Sequence, residues 1–329
     1  DILNEKLVSP VLIEKTYVME TVALTGSTSP VQGGKTSVTE GIVIPSFAED
    51  GEGSLNITLD PTRLGLLSSA VDYVFKYPYG CLEQQTSQVL PLVLFEDYID
   101  VFGFSSEVSN VHTCVKSFFK SWKKEQQSSG GFPYWPGGDK ENYYVSLRIA
   151  HIYAAAKKNG YSDSELSIDI KDLKSYLQRE QSSSISDYMK AYSYYVFALL
   201  DDHGFDSDLE NFTKERKKDL SVTALAGLAW SLKDTSEGKM QAQKCADYIR
   251  SYMRPVTRSV DITQPTASGY RGIFYNQRSE QMALIMQLFA ELNPQDEMVD
   301  RLLFSLLSEQ ANGYWTNTAV TARVMEAVD

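Results

Sequence analysis

From Pro61 onward, apolar positions recur at intervals of three and four residues, the period of an amphipathic helix. That period predicts twelve helices, over 62–75, 82–102, 107–126, 142–159, 164–179, 186–202, 208–218, 220–233, 239–254, 278–292, 295–310 and 317–328, with a long loop at 255–277. The first sixty residues follow a different rule. Leu55, Ile57 and Leu59 alternate with Asn56, Thr58 and Asp60, as in a half-buried strand. The stretches 18–24 and 36–44 are rich in Val, Thr and Ile, and Gly-containing turns separate them. The pattern therefore divides the chain into a short β-strand segment, 1–60, and a helical domain, 61–329.

The helices pair, and the pairs repeat approximately. Gly130-Gly131-Phe132-Pro133-Tyr134-Trp135 precedes one helix rich in small residues, and Gly313-Tyr314-Trp315 precedes another. Gly272-Ile273-Phe274-Tyr275 is a looser third copy. Repeated helix pairs bury their apolar faces on their neighbours. Six pairs favour closure into an α/α toroid of six helical hairpins over an open helical array. The predicted class is thus mainly α.

Composition narrows the function. With 329 residues and 43% hydrophobic content there is material for a large core. Acidic residues outnumber basic ones, 43 against 31, and a formal charge of -12 disfavours a nucleic-acid partner. The longest strictly apolar run, Val89 to Phe95, is too short to span a bilayer, and no signal peptide is visible. The chain starts at Asp1 and reads as a piece of a longer protein whose address label is missing. Cys81, Cys114 and Cys245 cannot all pair and are too few for a disulfide framework; a Cys114–Cys245 bond stays open. His112, His151 and His203 lie far apart with no metal-ligand spacing, so neither a metal nor a cofactor is implied.

The sharpest local feature is Tyr77-Pro78-Tyr79-Gly80-Cys81-Leu82-Glu83-Gln84. Pro78 disfavours helix at Tyr77, and Gly80 permits unusual backbone angles. A helix then starts near Cys81, where its dipole favours a thiolate. Gln84, three residues on, shares a face with Cys81. Attack of the sulfur on the Gln84 side-chain carbonyl, with loss of ammonia, gives an internal thioester. Helix N-terminal amides can polarise that carbonyl. Glu83 is a candidate proton relay, with a direction that sequence does not reveal. The bland reading is a buried cysteine followed by ordinary helix formers.

This motif resembles the thioester motif of the bacterial alpha-2-macroglobulins, relatives of the complement components and of the animal protease-trapping macroglobulins. The resemblance covers about residues 61–329. It implies an α/α toroid thioester domain, and it makes 1–60 the first part of a split CUB-like domain. It implies that Cys81 and Gln84 form the thioester. It further implies that Lys amines of an attacking protease capture the acyl group, leaving the target bound through Gln84. Other partners would be the remaining macroglobulin and CUB-like domains of the same chain. Capture of this kind is single-turnover inhibition, not enzymic catalysis, and the family setting is periplasmic or anchored to the cell envelope. A thioester survives only where water is excluded, and Tyr77, Tyr79, Phe132, Tyr134 and Trp135 are candidates for the shield, or for plain packing. Some complement proteins relay the acyl group through a histidine in the third hairpin's turn. The matching stretch here, 179–186, contains Gln181 and serines but no histidine, which predicts direct aminolysis.

Rival readings remain. A cysteine hydrolase needs a histidine base beside Cys81, and none is marked. A glycan-processing toroid needs facing carboxylates, for which Glu83, Asp139 and Glu141 are present without a selecting spacing. A non-inhibitory adhesion or scaffold module needs neither Cys81 nor Gln84. The acids Asp201, Asp202, Asp206 and Asp208 around His203 read as a solvated loop before they read as a metal site, and Arg216, Lys217 and Lys218 as an exposed helix face. His151 sits in an apolar helical context and reads as packed.

Overall fold

The computed structural model describes residues 64–100, 102, 110–181, 185–234, 237–263 and 277–329, with isolated positions between 39 and 57. Residues 53–329 form one compact unit and 1–52 another. The strand expected at 18–24 and the Gly272 turn lie outside the described residues, as does most of 36–44. Around the strand expected at 55–59, the described Leu55 and Ile57 stand in no ladder and are exposed.

The chain is mainly helical. The described helices are α1 (Ser68–Phe75), α2 (Leu82–Leu94), α3 (Val111–Glu125), α4 (Tyr143–Lys158), the single turn α5 (Asp163–Leu166), α6 (Ile170–Gln181) and α7 (Asp187–Leu199). They continue with α8 (Asp206–Arg216), α9 (Val222–Ser231), α10 (Gly238–Arg250), α11 (Arg278–Leu292), α12 (Glu297–Ser308) and α13 (Thr318–Val328). The second helix is shorter than its periodicity predicts. Pro91 cannot donate to the ladder, and α2 gives way at Phe95 to a 3-10 turn over Glu96–Tyr98. The tenth stops at Arg250, because β1 (Met253–Val256) pairs antiparallel with β2 (Ser259–Ile262). This hairpin occupies the start of the expected loop and docks on α12 through Val260 N–H to Ser305 Oγ, 2.9 Å.

Two kinds of helix alternate. In α4 every residue from Tyr144 to Ala156 is buried, whereas α3 buries only the stripe Val111, Val115, Phe119 and Trp122. A helix apolar all round belongs inside, and one with a stripe belongs outside. The inner helices touch in sequence: α2 on α4, α4 on α7, α7 on α9, α9 on α11, α11 on α13, and α13 back on α2. They form a closed cycle of neighbours. Five outer helices each pack on the inner helix before them in the cycle, α3 on α2, α6 on α4, α10 on α9, α12 on α11 and α1 on α13, whereas α8 packs on α9.

The Gly-aromatic turns have a steric reason. Gly130 has φ +96°, and a Cβ there would overlap the Asp172 carbonyl in α6. Gly313 has φ +83°, and a Cβ there would overlap the Ser69 side chain in α1. Each turn thus abuts the outer helix of the next hairpin, and the last turn abuts the first helix.

A polar network runs through the interior. His151 of α4 meets Glu326 of α13 at 2.7 Å and the Tyr192 hydroxyl of α7 at 3.1 Å. Arg323 donates to Glu326 at 2.5 Å. Tyr195 donates to Gln287 of α11 at 3.1 Å. His151 is therefore packed, as expected, but packed into a charged cluster. Burial lowers its pKa against the pull of Glu326, while His151 and Arg323 hold the Glu326 carboxyl far below its usual range.

Candidate functional site

Four inner helices start on a side-chain oxygen. Asn142, Ser186, Ser221 and Asn317 each accept from a backbone N–H of the first turn, at 3.0–3.3 Å. This is the ordinary way to satisfy an orphan donor. At α2 the same position is held by Cys81, in extended conformation with φ −63° and ψ 157°. Its sulfur accepts from the Gln84 backbone N–H, and the Gln84 side-chain Oε1 accepts from the Cys81 N–H at 3.3 Å. The arrangement is a capping box, with Cys and Gln where Ser and Glu are usual. Each side chain thereby bonds the other residue's backbone N–H across the first turn, as part of helix initiation.

Turn 77–80 is held from below. Gln85 donates from Nε2 to the Gly80 carbonyl at 2.9 Å and accepts at Oε1 from the Trp122 indole at 2.8 Å. Gln88 Nε2 donates to the Phe75 and Tyr77 carbonyls at 3.3 and 3.4 Å. Tyr314 stacks on Tyr73 at 3.7 Å, and Tyr73, Tyr77 and Tyr79 continue edge to edge. An open groove beside the turn is lined by Tyr77, Tyr79, Gln85, Gln88 and Phe118.

The candidate shield residues separate. Phe132 is fully buried, Tyr77 and Tyr134 are half-buried, and Tyr79 and Trp135 are 61% and 56% exposed. The pattern match between Trp135 and Trp315 does not hold in three dimensions. Phe132 N–H donates to Ser146 Oγ, four residues beyond cap Asn142, and Trp315 N–H donates to Thr321 Oγ1, four beyond cap Asn317. Phe132 is thus the counterpart of Trp315, and Trp135 sits on an extra excursion of the longer turn.

Cys81 is 1% exposed. Burial pushes its thiol pKa up; the Gln84 amide, the Tyr134 hydroxyl and the Glu83 amide oppose this, and the Glu83 charge adds to it. The net direction corrects the expectation of a thiolate favoured by the helix terminus: in a dry pocket the desolvation of the anion outweighs the dipole. Glu83 is 4% exposed, and its Oε1 accepts from Ser87 at 3.2 Å. Burial raises its carboxyl pKa against the nearby Arg148 guanidinium. Arg148, itself buried in α4, donates from Nε to Thr86 at 3.1 Å and from Nη2 to Ser87 at 2.9 Å. The other acids have different surroundings, with Asp139 exposed and Glu141 accepting from Ser129 at 2.5 Å.

Arg148, Gln85 and Gln88 escaped the sequence reading. The available signal was Arg148 itself, a permanent cation in a helix otherwise made for burial. His203 is exposed between Asp201 and Asp206, at 3.0 and 3.2 Å. No cluster of three metal-ligating side chains occurs among the described residues. Cys114 is half-buried, Cys245 is buried, and neither is in a disulfide. No described helix is long and apolar enough to cross a membrane.

Two comparisons bear on this arrangement. Over 112 residues, a third of its length, the chain is 28% identical to an alpha-2-macroglobulin of Rickettsia conorii, of which it matches only 6%. It also superposes on an Escherichia coli native alpha-2-macroglobulin fragment running from domain MG7 to the C-terminus. There the TM-score is 0.58 and the identity 20%, covering 80% of this chain and 41% of that one. The fold is an alpha-2-macroglobulin fold. A Salmonella alpha-2-macroglobulin reacted with methylamine gives a TM-score of 0.60 at 22% identity, covering 80% of this chain and 17% of that one. An E. coli alpha-2-macroglobulin activated by porcine elastase gives 0.59 at 18%, covering 80% and 24%. No family model matches the chain. The chain therefore spans well under half the length of these alpha-2-macroglobulins.

Proposed function

We propose that this chain is the thioester domain, with part of a CUB-like neighbour, of an alpha-2-macroglobulin-like protease inhibitor. Cys81 and Gln84 form an internal thioester, and a Lys amine of an attacking protease opens it. The observation that carries this reading is the reciprocal cap by which the Cys81 and Gln84 side chains each bond the other residue's backbone N–H at the start of α2. The closed cycle of inner helices supports an α/α toroid around it. Reaction with methylamine in the Salmonella relative and activation by elastase in the E. coli one support amines as nucleophiles and proteases as partners. The inhibitor belongs in the periplasm or on the cell envelope. It works once, since the acyl group is consumed.

The bond requires two things of the fold: contact between sulfur and acyl group, and exclusion of water. The cap brings the two residues together across one turn, which supports the first, and burial of Cys81 supports the second. Transfer is direct aminolysis, because 179–186 carries no histidine to take the acyl group first. The test is intact mass of native protein. A deficit of one ammonia, absent from Cys81→Ala, is expected, and methylamine should then add at Gln84 and release one thiol in step. A full-length mass with no deficit refutes the thioester, and glycerol adding as readily as methylamine refutes direct aminolysis.

A further inference from the structure

A sulfur leaving an acyl group inside a dry pocket has a difficulty that the motif alone does not solve. Water cannot solvate the departing anion, because Cys81 is 1% exposed. Either a proton reaches the sulfur as the C–S bond breaks, or the bond does not break. Glu83 is poorly placed to give that proton, since its carboxyl is engaged with Ser87 and faces Arg148.

The side-chain hydroxyl that interacts with the sulfur belongs to Tyr134. Its position is built in. The Tyr134 carbonyl accepts from Leu82 N–H, the first amide of α2, at 3.0 Å. Two residues earlier, Phe132 is fully buried and is pinned on both sides, its N–H donating to Ser146 and its carbonyl accepting from Asn142 N–H at 2.7 Å. Trp135 packs edge-on against the Tyr134 ring at 5.9 Å. The loop therefore holds Tyr134, half-buried, beside the first turn of α2.

Resting on the thioester reading, we propose that Tyr134 is a catalytic residue, the proton shuttle of aminolysis. The amine nitrogen attacks the Gln84 acyl carbon and forms the C–N bond. As the C–S bond breaks, the Tyr134 O–H proton passes to Cys81 Sγ. The phenolate oxygen takes a proton from the attacking nitrogen. The products are an amide at Gln84, a thiol at Cys81 and an unchanged Tyr134, so protons and charge balance without a further reactant. Burial and the neighbouring Cys81 and Glu83 push the Tyr134 pKa up to about 12, so the hydroxyl carries its proton at neutral pH.

Tyr134→Phe keeps the ring and removes the proton. In the wild type and the variant, the ammonia deficit is read by intact mass and the methylamine rate by thiol release. The expected result is a deficit in both and a rate about a hundredfold lower in the variant, the usual scale for losing a general acid. A solvent deuterium isotope effect should be present in the wild type and lost in the variant. A deficit in both with rates within threefold overturns the shuttle and leaves the thioester standing. A wild type without the deficit overturns both. If the phenylalanine variant fails to form the bond, fluorotyrosine at 134 decides, being nearly isosteric with a more acidic hydroxyl. A shifted pH–rate profile supports the shuttle, and an unchanged one overturns it.

Discussion

Glu280 gives a quantitative test of the buried interior. It lies in the first turn of α11, is 4% exposed, and its Oε2 has no hydrogen-bond partner among the described residues. Tyr188 of α7, Arg148 of α4 and Arg323 of α13 are the groups that interact with it. Burial drives its pKa from 4.5 to about 7, with both arginines pulling the other way. The folded chain thus holds a proton that the unfolded chain has released. Stability from this group is complete below the unfolded value and is lost as pH rises toward 7. A rise of about 2.5 units at about 1.4 kcal/mol each gives about 3.5 kcal/mol. Glu280→Gln cannot ionise and removes the effect. Urea unfolding of both proteins near pH 5 and near pH 8 isolates it, because most other titrations cancel in the difference. The variant should gain about 2.5 kcal/mol on the wild type between the two conditions, since part of the effect is already lost at pH 5. Parallel pH profiles would show that the carboxylate is solvated or paired, and would refute the argument.

Two further predictions address the ring and its turns. Gly130 and Gly160 both have positive φ, but only Gly130 is blocked by backbone. Gly160→Ala should therefore cost about 1–2 kcal/mol, and Gly130→Ala about 2 more, in chemical denaturation; equal costs would mean that the turn does not abut α6. Phe132→Ala should cost about 3–5 kcal/mol and Trp135→Ala within about 0.5. A large loss at Trp135, measured the same way, would restore the pairing with Trp315.

Much of the fold was legible because helix initiation and burial are local. Asn142, Ser186 and Asn317 stand at the predicted helix starts and cap them. The near-continuous small and apolar residues of α4 and α9 match their burial on nearly every side. What was not legible depends on contacts far apart in sequence. The hairpin of β1 and β2 is fixed by its ladder and by α12, not by its own pattern. Gln85 finds Trp122, and Arg148 finds Thr86 and Ser87, only because α3 and α4 flank α2. The direction of Glu83 likewise follows from Arg148 and Ser87. The charge state of Cys81 was misjudged for a related reason: helix position is local, but the burial that overrides it comes from the whole ring.

At α2 a thiol stands at the cap position where four other inner helices carry an oxygen. An oxygen at the cap position contributes about 1 kcal/mol, and a thiol is a poorer acceptor. Cys81 forgoes that contribution where Asn142, Ser186, Ser221 and Asn317 keep it. The lost order is restored from outside the helix: Tyr134 accepts the first amide of α2, while Gln85 and Gln88 hold the turn before it. The sulfur itself is buried. Burial raises the pKa of the Cys81 thiol and of the Tyr134 hydroxyl together. An acyl group on that sulfur would face no local base and no bulk water. The nucleophile must then bring its own electron pair and its own proton, which is what a neutral amine does and what a water molecule excluded from the pocket cannot.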